Sequence, residues 1–204
     1  LVLSLLVVTL ATALSWPRAA AGEPAGQGPL PVQAGVGATA RVSVGEDSHW
    51  SERAGMPTRR TGLALVAWER QLIAVGGQAP EGPTGAVELY DPAADGWTRG
   101  AEKPTAVAYV GAAVLDGRVY VPGGCTADGR ATAVVEVYDP ATDEWSEAAP
   151  LPAPVCAYAL AAQDGRLYVF GGTDGERPVG STFAYDPESD AWEERAPLPE
   201  PLTL

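Results

Sequence analysis

The chain has 204 residues, with 26 acidic against 13 basic side chains, a formal net charge of −13 and an isoelectric point near 4.4. Only Glu23, Glu46 and Asp47 precede Trp50, so the acidity belongs to the remainder. A negative surface without a basic patch argues against nucleic acid or an anionic membrane surface as its partner.

In chain order, residues 1–16 come first. They are uncharged and mostly apolar, with only Ser4, Thr9, Thr12 and Ser15 as polar members. An apolar N-terminal helix is expected over residues 1–21, and two readings of it stand. A secretory signal peptide has such a run followed by small residues, here Ala19-Ala20-Ala21. A transmembrane helix needs about 20 apolar residues, which this run supplies only with a few more upstream; the chain does not begin with Met, so upstream sequence is expected. Both readings send the rest of the chain out of the cytoplasm, membrane-anchored or secreted. Residues 22–48 are rich in Gly and Pro and read as a linker.

From residue 49 onward the chain repeats itself. Gly76-Gly77, Tyr90-Asp91-Pro92 and Trp97 recur as Gly123-Gly124, Tyr138-Asp139-Pro140 and Trp145, then as Gly171-Gly172, Tyr185-Asp186-Pro187 and Trp192, in steps of 47 or 48 residues. Three marks held in phase define a repeat array. In the third copy, Cys156–Ala162 reads as strand a and Asp164-Gly165 as a two-residue hairpin turn. Arg166–Phe170 reads as strand b, Ser181–Tyr185 as strand c and Ala191–Arg195 as strand d. The second copy repeats this pattern; in the first, Trp68-Glu69-Arg70 stands in place of Asp-Gly. Units of about 50 residues carrying large aromatics must stack on copies of themselves, and radial stacking gives a β-propeller.

A glycine pair after a β-rich run, then Tyr, then Trp seven residues later resembles the kelch repeat over Trp50 to Trp192. The resemblance implies an all-β kelch propeller of the bacterial, extracytoplasmic type. Blades are expected at about 55–97, 102–145 and 150–192, with a fourth begun at 196–204, where Ala196-Pro-Leu-Pro199 repeats Ala149-Pro-Leu-Pro152. Propellers close with about four to eight blades, so three imply part of a longer chain. Trp50, matching Trp97 in context, is expected on a d-type strand that closes the last blade.

Cys125 follows strand b of the second unit and Cys156 opens strand a of the third, on one face of the ring. They read either as a disulfide between blades, allowed outside the cytoplasm, or as two small apolar fillers. His49, the single histidine, reads as an exposed residue. Enzymes of the galactose-oxidase kind would need two histidines, and no Ser-His-Asp set or phosphate loop is evident. No metal and no cofactor are expected.

Propellers bind through loops on one face and the mouth of the channel. The variable loops run from strand b to strand c, over residues 78–86, 125–133 and 173–181, and carry Arg130 and Arg177 at or near matching positions. Arg59 and Arg60 precede strand a of the first unit toward the same face. Arg130 and Arg177 could form part of an acid-recognising rim, or be solvated loop charges, and all four are candidate binding residues. The expectation is a non-catalytic kelch module, not an enzyme, binding a protein or glycan outside the cytoplasm, with a membrane-anchored sensor ectodomain as one form of it. The alternative is a carbohydrate-active enzyme resembling kelch-type sialic acid mutarotases. That would need Arg, Glu and Asn groups at the channel mouth, and the chain has no Asn.

Overall fold

The computed structural model describes residues 50–203. The expected apolar helix at 1–21, the linker at 22–48 and His49 lie outside the described residues. Among the described residues every regular element is a strand, and no helix is long and apolar enough to cross a membrane.

Three four-stranded antiparallel sheets follow one another along the chain. The first holds β1 (Ala64–Trp68), β2 (Gln71–Val75), β5 (Val87–Asp91) and β6 (Gly96–Arg99), with a small hairpin of β3 (Gln78–Ala79) and β4 (Gly82–Pro83) in its b-to-c loop. The second holds β7 (Ala113–Leu115), β8 (Arg118–Pro122), β9 (Val135–Asp139) and β10 (Glu144–Ala148). The third holds β11 (Ala159–Gln163), β12 (Arg166–Phe170), β13 (Thr182–Asp186) and β14 (Ala191–Arg195). Each sheet has its strands in the order a, b, c, d expected of a propeller blade.

Burial follows from stacking blade on blade. Ile73 to Val75, Val119 to Val121 and Val135 to Tyr138 are buried without alternation, because middle strands are covered on both faces, in the second blade by the first and the third. Valines such as Val75, Val107, Val121 and Val155 form the core between sheets, and burying each stabilises by roughly 1.5–3 kcal/mol. The d strands are half-exposed, with polar residues outward and one Trp inward.

The hairpin turns from a to b match the expected positions. Asp116-Gly117 and Asp164-Gly165 are left-handed at both residues, as two-residue turns that follow the strand twist require. In the first blade Glu69-Arg70 forms the turn with only Glu69 left-handed, since arginine lacks glycine's freedom. The Trp68 indole instead donates to Gly117 O in the next blade, at 2.9 Å. One expectation is corrected: residues 50–56 form no strand. A d strand is built by pairing along a c strand, and no c strand among the described residues lies beside this segment.

Candidate ligand-binding face

Loops are only as well placed as the blades beneath them, and a clasp repeated in each blade sets those blades. Tyr90 pairs with Trp97 across strands c and d, Tyr138 with Trp145 and Tyr185 with Trp192, with ring centroids 5.0, 5.1 and 5.0 Å apart. Five residues after each Tyr stands an aspartate that the repeat marks alone did not single out. Asp95, Asp143 and Asp190 accept the Tyr hydroxyl at 2.6, 2.6 and 2.7 Å. The same carboxylate oxygens accept the N–H of Ala54, Ala101 and Ala149, and the indoles of Trp97, Trp145 and Trp192 donate to the carbonyls of those alanines. Each blade thus grips the segment that leads into it. All three aspartates are left-handed, at φ of 50°, 56° and 46°, a conformation aspartate tolerates. The backbone N–H first, and the Tyr hydroxyl second, hold each carboxyl below its ordinary range.

A second layer concerns the expected site. Arg60 is not at the rim. Its side chain is buried and ion-paired with Glu88 of β5, with further bonds to Thr58 O and Ala74 O. Glu88 also accepts from the backbone and hydroxyl of Thr58, at 3.1 and 2.7 Å. The second blade repeats the arrangement with Lys103 and Glu136, whose carboxylate also takes the Thr105 N–H and hydroxyl. Burial depresses the Lys103 ammonium, and Glu136 resists that depression. In the third blade the corresponding residues are Leu151 and Phe183, both buried. A buried charge needs a partner, so arginine before strand a is explained by glutamate in strand c. The sequence signal was that glutamate: Glu88 and Glu136 each sit between apolar residues, two before the Tyr.

The remaining candidates stand outside. Arg59 and Arg130 are exposed, and the Arg177 side chain keeps 82% of its surface, with its Nε 3.5 Å from Asp174 in its own loop. In the second blade the Thr126 hydroxyl donates to Arg130 O; in the third, Thr173 does the same to Arg177 O, both at 2.9 Å. The backbone of each arginine is therefore turned into its loop. Gly175 of the third loop lies against Gly129 to Ala131 of the second, so the two loops touch. Cys125 and Cys156 form a disulfide, Cα to Cα 5.3 Å, that joins the second blade's b-to-c loop to the start of the third blade. Each cysteine is also held in a backbone bridge, Cys125 with Ala108 and Cys156 with Thr173. Among the described residues no group of three metal-ligating side chains stands together.

A model of the Kelch motif matches residues 106–152 and 154–199. The human Kelch-like protein 33 is 34% identical over 81 residues, 40% of this chain and 15% of that protein. The mouse Kelch-like protein 35 is 38% identical over 87 residues, 43% of this chain and 14% of that protein. The chain thus spans a small part of the relatives it matches. Among solved structures, that titled "Structure of YjhT" superposes with a TM-score of 0.69 at 18% identity, covering 78% of this chain and 58% of that one. This likeness corrects the expectation of a chain that is not an enzyme: kelch-type propellers of this shape include enzymes, so the shared fold gives no support to an absence of catalysis. With two matched motifs, and three blades that each carry the glycine pair and the Tyr–Trp pair, the described part of the chain is built from kelch repeats.

Proposed function

We propose that this kelch module binds a protein or glycan ligand outside the cytoplasm, through the face that carries its b-to-c loops. The observation that carries the reading is the Cys125–Cys156 bridge, which fastens the loop bearing Arg130 to the blade whose neighbouring loop bears Arg177. Loops held in place lose little freedom when a ligand arrives, so less of the interaction is spent on ordering. Two outward guanidinium groups on an otherwise acidic chain favour a ligand that presents carboxylates. Disulfides persist in oxidising compartments, which supports a secreted or membrane-anchored protein, including a sensor ectodomain. The test is to pan a random peptide phage library and a glycan array against the full chain. Selected ligands are then measured against the Arg130→Ala, Arg177→Ala double variant. The expected result is acid-rich ligands whose Kd rises at least tenfold, about 1.4 kcal/mol. Affinity unchanged by the double variant would remove the loops from the site.

A second reading concerns the same face. Arginines that receive a carboxylate would also receive an acidic sugar, and the YjhT-like fold is compatible with a carbohydrate-active enzyme resembling the kelch-type sialic acid mutarotases. Anomer exchange of N-acetylneuraminic acid, followed by NMR with and without the chain, tests it. Acceleration lost on changing Arg130 or Arg177 supports it, and an unaltered exchange rate removes it.

A further inference from the structure

Eight residues after each clasped alanine lies one position of the repeat, occupied by Gly62, Tyr109 and Ala157. Tyr109 N donates to Gly62 O and Ala157 N to Tyr109 O, both at 2.7 Å, so one hydrogen-bonded file crosses the three blades. The file lies at the inner side, just ahead of β1, β7 and β11, which approach one another. All three residues are left-handed, at φ of 58°, 51° and 52°. Glycine takes that conformation freely, whereas a bulky tyrosine takes it only under strain. Tyr109 keeps 47% of its surface exposed, so only part of the side chain is buried in return. Strained residues that stay half-exposed concentrate at binding sites.

The tyrosine does shape a cavity. Its ring covers Gly62, where a Cβ would meet the ring at 2.9 Å. Gly62, Leu63, Tyr109, Val110, Ala157 and Tyr158, two from each blade, line a space of about 220 Å³. The lining holds no charged group. The Tyr158 hydroxyl is committed inward, donating to Pro122 O and accepting from Gly111 N. An ion would find no countercharge here, and a sugar ring would find too few polar partners. An apolar side chain needs neither, and exposed aromatic pockets of this kind anchor protein ligands.

We propose that this cavity is an anchor pocket for one apolar side chain of a protein ligand, with Tyr109 as its wall. The proposal rests on the protein-binding reading of the loop face and names what that ligand presents at the inner side of the face.

The experiment is saturation-transfer NMR on the full chain with two probes, N-acetyl-L-phenylalaninamide and N-acetylglucosamine. The phenylalanine ring is expected to receive saturation from the parent, and at least fivefold less from Tyr109→Gly. The melting temperature of Tyr109→Gly should be equal or higher, since glycine relieves the left-handed backbone. Leu63→Glu, which places a charge in the opposite wall, should abolish the transfer independently. No transfer from the parent, undiminished transfer from both variants, or stronger transfer to the sugar overturns the pocket. Panned peptides that depend on Arg130 and Arg177 but ignore Tyr109→Gly would also overturn it, while leaving protein binding intact. If the amide occupies the pocket and panning returns no peptide, the protein-ligand assignment falls with the reading it rests on.

Discussion

Asp143 joins three parts of the chain through one carboxylate: its own turn, the Tyr138 hydroxyl and the Ala101 N–H, 42 residues away. Its carboxyl is held below the ordinary value near 4, first by that N–H and then by the phenol. A carboxyl with a depressed folded pKa stabilises fully above its unfolded value, and that contribution disappears as pH falls through the folded value. With Asp95 and Asp190 shifted in the same direction, stability is expected to be flat near neutrality and to drop below about pH 4. Thermal melts by circular dichroism between pH 7 and pH 2 measure this. Asp143→Asn should be less stable at pH 7, and its melting temperature should fall less steeply with acid. A slope identical to the parent's would show that the clasp does not carry the acid sensitivity. The aspartate stands at the same place of the sequence in all three copies. Reading Asp-Pro as the turn signal passed over it, because its second partner lies in another segment of the chain.

Within a blade, the three copies solve one packing problem in two ways, and the difference predicts a swap. Removing only one partner, as in Lys103→Met, leaves Glu136 charged and buried and should cost about 3–5 kcal/mol in urea unfolding. Copying the third blade with Lys103→Leu, Thr105→Ala and Glu136→Phe together should leave stability within about 1 kcal/mol of the parent, or raise it by up to about 4 kcal/mol. A triple variant as unstable as the single one would mean that the pair has no apolar equivalent in this blade. The glycine pairs make a separate prediction. Gly124 is left-handed at φ 110°, and a Cβ there would lie 2.7 Å from that of Val107 in the lead-in to the same blade. Gly124→Ala combines strain with that overlap and should cost about 2–4 kcal/mol. Gly117→Ala, in an open turn at φ 78° with nothing near its Cβ, should cost only about 1 kcal/mol. Chemical denaturation of both separates steric approach from backbone conformation.

Across the molecule, each blade leans on the next, and the described seams use the same backbone contacts. Gly77 N donates to Val107 O, Gly124 N to Val155 O and Gly172 N to Leu202 O. The seam between the second and third blades alone has a covalent tie. Closing a loop of 31 residues stabilises by about 4 kcal/mol on the chain-entropy model. Cys125→Ser, Cys156→Ser is therefore expected to lower the unfolding free energy by about that amount. It should also speed amide exchange in residues 125–133 and 173–181 more than in β2 or β5. Uniform exchange across all blades would mean that the bridge does not act at the seam. The sequence by itself determined the period, the strands, the hairpin turns and the glycine pairs, because these depend on patterns within one repeat. Only the tertiary structure decided that Arg60 is buried while Arg177 is exposed, that Asp143 grips Ala101, and that Tyr109 stands strained beside Gly62. Those outcomes depend on residues about 28 to 48 positions apart that meet across a sheet or a blade seam, where the local pattern of either partner carries no information about the other.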